Sequence, residues 1–331
     1  MFKTIYLEEN IKNHPRAKNI LSKFQKTPVQ VINKYDDYFG KFYKPYLQKR
    51  TSINLYIAQK KGLLVKKTPA AYGLDNGTHY YYMNAFNCIY ECEYCYLQGY
   101  FKNPDICLFI NYEDIGKEIR KIYENNQNGP IWFHAGEFSD SLALSSLTNE
   151  LDYFIELFND LPKAFLELRT KSININNILN KKIIHQNVLT TFSISPKNQI
   201  AQYDRKTPSL KLRLKALKKL QNNNYPIALH MDPLVPTAQF SEEFNIFIDE
   251  ILDYVDPKKV QYISIGVPRF TSDVWNAFKK NYPASKILKL EMTKEQLIRP
   301  YFHIRTQLLN DCKNKLVSAG FDEKTIYLCM E

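Results

Sequence analysis

Three cysteines in one short stretch carry the strongest chemical signal in the chain. Cys88-Ile-Tyr-Glu-Cys92-Glu-Tyr-Cys95 is a CxxxCxxC arrangement. Thiolates are the ligands that hold iron–sulfur clusters. Three of them on a tight loop can hold three irons of a [4Fe–4S] cube, which leaves the fourth iron without a protein ligand. That open iron can bind a substrate or a cofactor, and this is the chemical point of three cysteines rather than four. A zinc site is the alternative. Structural zinc wants a fourth ligand, usually from a second CxxC-type pair, and the sequence shows none. Cys107 is the nearest candidate, but it lies in the apolar run Ile106-Cys107-Leu108-Phe109-Ile110, where a buried free thiol is expected. Cys312 and Cys329 also read as buried structural thiols. Six cysteines in 331 residues, three of them within eight positions, do not make a secreted disulfide framework.

The elements that must position this loop alternate along the chain. Short β-rich runs occur at 80–86, 130–135, 164–170, 188–195, 226–232 and 260–267. Helix-like stretches separate them. Over 112–126, Ile115, Ile119 and Ile122 share a face; over 144–158, Leu147, Leu151, Phe154 and Leu157 do. Leucine recurs at 210, 214, 217 and 220 in the stretch 209–221, and 241–255 opens with Ser241 as a candidate N-cap before an acidic first turn. Strand–helix alternation at this spacing argues for a parallel sheet with crossover helices. Six such units with short connections suit an incomplete α/β barrel better than a Rossmann sheet. Neither a GxGxxG nor a Walker A motif is present. A helix over 300–316 and a final strand over 325–330 are expected to follow. The organisation read from these patterns is a basic N-terminal segment (1–79), a barrel (80–285) and a C-terminal helix-and-strand extension (286–331).

The charge is unevenly placed. The chain has 45 Lys+Arg against 34 Asp+Glu, a net +11. Residues 1–70 hold 15 of the basic and 4 of the acidic residues, so the whole excess sits there and the rest is neutral. That segment reads as mixed helix and loop, with a short helix after Pro15, and it interleaves Phe24, Tyr35, Tyr38, Phe39, Phe42, Tyr43 and Tyr46 with its lysines. Basic charge with aromatics suits a polyanion whose bases can stack, so DNA or another nucleic acid is the partner to consider for residues 1–70. A solvated lysine-rich surface is the plainer reading. Hydrophobic content of 44% excludes global disorder. The start MFKTIYLEENIK has no apolar signal-peptide core, and no apolar run reaches the ~18 residues of a membrane span. A soluble cytoplasmic protein is expected.

A cysteine triplet opening a βα series resembles the radical SAM superfamily. That resemblance implies a partial (βα)6 TIM-type barrel with N- and C-terminal extensions, and a [4Fe–4S] cluster at the C-terminal mouth of the strands. The open iron would chelate S-adenosylmethionine, and one electron, from a reductant such as flavodoxin or ferredoxin, would cleave it to a 5′-deoxyadenosyl radical that abstracts hydrogen from substrate.

The wider text is similar to the spore photoproduct lyase family over most of its length. Cys95-Tyr96-Leu97-Gln98 follows a CYLQ signature, and Tyr94 and Tyr96 fall on a tyrosine pair. Ser139-Asp140 with Leu147-Thr148, Thr170-Lys171, Phe192-Ser193-Ile194, Tyr203 with Thr207-Pro208-Ser209-Leu210, Tyr225-Pro226 and Arg269-Phe270-Thr271 follow in the family's order. The resemblance implies that Lys171 reaches the SAM carboxylate and that Ser139 and Ser193 lie against SAM. It places Tyr94 over the cluster and adenine, and makes Tyr96 a radical relay or a packing residue. Function then follows as DNA-lesion repair by hydrogen abstraction, against a radical enzyme on another substrate or a non-catalytic Fe–S nucleic-acid binder.

Two departures stand out. The lyase's hydrogen-returning cysteine is replaced by Glu137, in His134-Ala135-Gly136-Glu137, and a carboxylate cannot donate a hydrogen atom as a thiol can. Ala-Gly-Glu instead resembles a GGE motif whose strand end bonds the SAM amino group. The lyase's C-terminal KWG…GYGKY-like stretch, which helps to hold damaged DNA, is also missing; the chain reads KLEMTKEQLIRPYFHIR there. His230, Asp232 and Arg269 remain as residues near a strand mouth, with a core histidine and an ion pair as their plain roles.

Overall fold

The computed structural model describes residues 2–41, 53–69, 77–126, 129–181, 184 and 186–329. Phe42, Tyr43 and Tyr46, named above, and the last residue of the expected strand 325–330 lie outside the described residues. In chain order the strands are β1 (Phe2–Glu8), β2 (Val29–Ile32), β3 (Ile53–Ala58), β4 (Val65–Lys67), β5 (Thr78–Tyr82), β6 (Ala85–Phe86), β7 (Glu91–Cys92), β8 (Ile106–Phe109) and β9 (Ile131–Ala135). They continue as β10 (Ala164–Thr170), β11 (Val188–Ser193), β12 (Asp204–Arg205), β13 (Ile227–Met231), β14 (Val260–Ile265), β15 (Met292–Lys294), β16 (Ile298–Pro300) and β17 (Ile326–Leu328).

The main sheet runs β17-β14-β13-β11-β10-β9-β5-β4. Its neighbours are parallel except for β4 against β5. The six β-rich runs of the sequence are therefore β5, β9, β10, β11, β13 and β14, laid side by side in chain order, and the final strand adds β17 at the end. Alternation explains why the strands are buried on both faces. Ile131, Phe133, Leu166, Leu168, Ile227, Leu229 and Ile263 face the helices and share one core with Phe154, Leu217, Phe244 and Leu309. Trp132, Leu189, Ala228 and Tyr262 form a second cluster, packed by Phe165 and Tyr327.

Residues on that second face also carry a polar network. Glu167 accepts from Tyr262 Oη and Arg169 Nη2 and pairs with His134 Nδ1, whose Nε2 lies 3.0 Å from His79 Nδ1. Burial alone would raise the Glu167 carboxyl, but Arg169 and His134 hold it well below its usual value. A buried charge needs such partners.

Residues 1–70, read as helix and loop, also contain strands. A second sheet runs β2-β1-β3-β8-β6. Its middle strand β3 is buried at all six positions. Lysines on either side of short apolar runs hid these strands, since a buried central strand needs no alternation. The helix after Pro15 is present at Pro15–Ser22, with the His14 ring accepting from the Arg16 amide. The long helices occupy Tyr112–Asn125, Leu210–Asn222, Phe240–Leu252 and Phe302–Ser318. Ser241 sits inside its helix rather than capping it; the cap position is Gln239. The stretch 144–158 is split into Ser145–Thr148 and Glu150–Asn159, because Asn149 takes a left-handed conformation, φ 51°.

That split buries Glu150, which accepts from the Thr148 hydroxyl near Tyr82 and Tyr112. Burial pushes its carboxyl up from 4.5 to about 7, against the Thr148 bond. The folded protein thus keeps this proton up to about pH 7, whereas the unfolded chain releases it near 4.5. Between those values the unfolded state binds fewer protons, so this group's contribution falls as pH rises, by at most about 1.4 kcal/mol per pH unit. Urea unfolding at pH 5 and pH 8 is expected to show a smaller loss on raising the pH in Glu150→Gln than in the unaltered protein. An equal loss in both would rule this out.

Candidate cluster and cofactor site

The cysteine loop hangs between β6 and β8 of the N-terminal sheet. Asn87 ties its two ends: at φ 64°, its side-chain amide donates to the carbonyls of Asn103 (2.9 Å) and Asp105 (2.7 Å). Within the loop Cys88, Cys92 and Cys95 pack together with Tyr90, Tyr94 and Ala143. The Cys95 amide bonds to the Cys92 carbonyl (3.1 Å), and the Tyr90 amide points at Cys88 Sγ (3.5 Å). Burial pushes all three thiols up from their ordinary pKa, and each of Cys88 and Cys92 also feels Cys95. Soft donors gathered at one place in an apolar wall, with an amide directed at sulfur, fit an iron–sulfur cluster, whose iron would replace the protons that burial otherwise retains. Cys107 is not part of this group. It is fully buried beside Phe109 and Tyr56 in another cluster, as the apolar run implied.

The loop is fastened to the barrel by short β7, which pairs antiparallel with β12 so that Cys92 stands opposite Asp204. Tyr94 Oη donates to the Asp204 carboxylate. Asp204 also receives Arg213 Nη1 (3.0 Å), and the same nitrogen bonds the Ser193 carbonyl (2.8 Å). Arg213 is wholly buried in its leucine helix. A continuous tie, Tyr94–Asp204–Arg213–Ser193, therefore links the cysteine loop to the end of β11. Glu91 and Glu93, on either side of Cys92, are paired with Lys206 and Arg205.

Lys171 follows the last residue of β10. Its ammonium lies 5.5 Å from the Tyr94 ring centre. Burial would lower its pKa, but Cys92 and Asp204 beside it hold it above the usual lysine value. Asp140 fixes the neighbouring backbone: it accepts from Thr170 Oγ1 (2.6 Å) and the amides of Lys171 (2.7 Å), Leu142 (3.0 Å) and Ala143 (2.9 Å).

The turn after β9 needs Gly136. Its φ is +80°, and a Cβ there would stand 2.6 Å from Ser141 Oγ. Tyr96 Oη donates to the Glu137 carbonyl, and the Ser139 amide bonds the Gly136 carbonyl (3.1 Å). Phe138 then meets Tyr81, Phe86, Tyr100 and Phe101 in an aromatic wall.

The sequence-derived candidates thus fall into two joined groups. Cys88, Cys92, Cys95, Tyr94 and Lys171 come together directly. Tyr96, Glu137 and Ser139 meet on the adjacent turn, and Ser193 joins through Arg213. Sequence reading missed Asp140, Asp204 and Arg213 as organisers. An arginine on the apolar stripe Leu210–Leu214–Leu217 was the available signal for the last. Arg269 makes a two-pronged ion pair with Asp232 (2.8 and 2.7 Å) and touches Cys329 Sγ (3.2 Å). The His230 ring is buried, but its Nδ1 has no hydrogen-bond partner among the described residues. Cys312 is buried in the main core, and Cys329 is half-buried.

A three-thiol loop over the strand ends of an open parallel barrel, with a cationic strand end beside it, defines a radical SAM enzyme that uses a [4Fe–4S] cluster and S-adenosylmethionine. Residues 1–316 match the family model described as spore photoproduct lyase, and the chain belongs to that family. Its relatives include spore photoproduct lyases of Clostridium acetobutylicum (22% identical, over 87% of this chain and 84% of the relative) and Bacillus subtilis (23%, 88% and 84%). A solved spore photoproduct lyase complexed with dinucleoside spore photoproduct has the same fold, at TM-score 0.83 and 17% identity over 99% of this chain and 98% of that one. Another such structure, a double variant with bound AdoMet and the dinucleoside, gives TM-score 0.81 at the same identity and coverage. No helix among the described residues is long and apolar enough to cross a membrane.

Proposed function

We propose that this enzyme acts on a thymine lesion of the spore photoproduct class in DNA. The observation that supports it most is the joint placement of the cysteine loop, Lys171 and Ser193 in a chain that shares the family's fold from end to end. When bound, the cluster and S-adenosylmethionine supply a 5′-deoxyadenosyl radical that takes a hydrogen atom from substrate. The chain's own residues do the rest. Cys88, Cys92 and Cys95 would hold three irons. Lys171 would receive the methionyl carboxylate, and Ser139 and Ser193 would line the cofactor. Tyr94 covers the cluster and the adenine side, held by Asp204. Tyr96 clamps the turn that presents Glu137. Glu137 accepts the methionyl ammonium.

Removing the Lys171 ammonium deletes one charge-assisted contact, worth about 1.5–3 kcal/mol. Lys171→Met is expected to weaken SAM binding by roughly ten- to hundredfold. Equilibrium dialysis of the reconstituted protein measures it, and unchanged affinity would remove Lys171 from the cofactor site.

The deciding test supplies spore photoproduct, as a dinucleoside and within duplex DNA, to the reduced holoenzyme. Restored thymines support the proposal. Glu137 favours a second reading, because the residue that returns hydrogen in the lyase is no thiol here. If SAM is cleaved and no thymine returns, the radical serves another substrate. Duplex chemistry also requires extruding the damaged nucleotide and gripping its backbone. If the N-terminal lysines neutralise about six phosphates, DNA affinity is expected to fall about 10³-fold between about 50 and 200 mM salt. Fluorescence anisotropy reads this. Absence of binding at low salt argues for a substrate other than nucleic acid.

A further inference from the structure

The cysteine loop has a back as well as a mouth, and one helix covers it. Ser272–Asn281 packs on the short helix Leu97–Tyr100 that follows Cys95. The contact is so close that a Cβ on Gly99 would stand 2.6 Å from Val274 Cγ2. At the helix end Asn281 Nδ2 donates to Gln98 Oε1 (2.9 Å), and Gln98 Nε2 donates to the Cys95 carbonyl (2.9 Å). Two hydrogen bonds therefore connect the helix end to the backbone of a cluster ligand. Tyr282, the next residue, is buried.

The outer side of this element is basic. From Ser272 to Glu291 there are four lysines, Lys279, Lys280, Lys286 and Lys289, against two acidic residues at the edges, Asp273 and Glu291. All four are exposed. Beside them lies a groove of about 400 Å³ with Trp275, Met292 and Ile298 among its lining and, among the described residues, Lys279 and Lys294 as its charges. A small apolar centre with a charged rim is the anatomy of a transient protein interface.

We infer that this face docks the one-electron donor: an acidic protein carrying a low-potential flavin or iron–sulfur centre near its surface. The inference rests on the radical SAM reading of the cysteine loop. The donor loses one electron, and this chain receives it at the thiolate-bound centre. The hydrogen-bonded route Asn281–Gln98–Cys95 connects this face to the backbone of a cluster ligand, and lysines steer an acidic partner to it.

The test compares the reconstituted protein with Lys279→Glu/Lys280→Glu, and with Lys211→Glu/Lys215→Glu as a control of equal charge change on the exposed face of the Leu210–Asn222 helix. Oxidised flavodoxin and oxidised ferredoxin are titrated against each by calorimetry. At low ionic strength the 279/280 variant is expected to bind at least tenfold more weakly and the control nearly as the unaltered protein. The difference should collapse in about 1 M salt, where the Debye length is about 3 Å. SAM cleavage driven by flavodoxin should slow in step, while cleavage driven by dithionite stays unchanged. Equal donor affinity in both variants overturns the inference. So does no binding of either donor while dithionite still drives cleavage, or a 279/280 variant that loses DNA affinity and keeps donor affinity. Failure of dithionite itself to support cleavage in the unaltered protein defeats the radical SAM reading instead.

Discussion

Cys92→Ala protein, reconstituted without oxygen, is expected to hold iron and sulfide only at background and to leave S-adenosylmethionine uncleaved. The unaltered protein should hold about four irons per chain. Cys92 is the most telling of the three because its backbone role and its side-chain role separate. The backbone pairs β7 with β12, and alanine preserves that pairing. The thiol packs against Cys88, Cys95, Tyr90 and Tyr94. Loss of the cluster with an unchanged far-ultraviolet spectrum would therefore report ligation rather than unfolding. Stoichiometric zinc with no iron in the unaltered protein would overturn the assignment, since zinc offers no electron to split the sulfonium.

The second large effect is expected from Arg213→Met. Arg213 bonds the Ser193 and Pro208 carbonyls and the Thr207 hydroxyl, and pairs with buried Asp204. Methionine fills much of the volume but leaves the Asp204 carboxylate in the interior with Tyr94 Oη as its remaining hydrogen-bond donor among the described residues and the Lys171 ammonium nearby. Breaking a buried ion pair from one side costs about 3–5 kcal/mol, because the remaining charge keeps its desolvation penalty. Urea unfolding should show a midpoint shift of that size with little change in slope. A second effect should accompany it. The tie from the cysteine loop to the end of β11 is cut, so cluster loading should fall at temperatures where the variant is still folded. A loss under about 1 kcal/mol would mean that the surroundings relax to hydrate Asp204, and that the tie does not organise the loop.

Much of this protein is local in its logic and was legible as sequence. Six β-rich runs separated by amphipathic helices became six strands in chain order, since parallel pairing through crossover helices leaves little freedom in arrangement. The cysteine spacing selected thiolate chemistry, and a lysine after a strand end was placed at the barrel mouth by the fold itself. The N-terminal segment was harder. Its net charge was plain, but β3 is buried at every position, Asn54 included, so its sequence shows no alternation from which a strand could be read. Ser241 failed as a cap because helix boundaries follow packing as well as side-chain chemistry.

What could be read from the sequence alone was therefore the cysteine spacing, the strand–helix alternation of the main sheet and the location of the charge. Each is a property of neighbours along the chain. The tertiary structure decided which distant polar groups meet. Asp204 lies far along the chain from Tyr94 and becomes its partner only when β12 pairs with β7. Arg213 found Asp204 and the Ser193 carbonyl because a buried guanidinium must satisfy its donors wherever the fold brings acceptors. Asn281 reached Gln98 only because Gly99 lets two helices touch. Such contacts follow from desolvation and close packing, which act on space rather than on sequence separation.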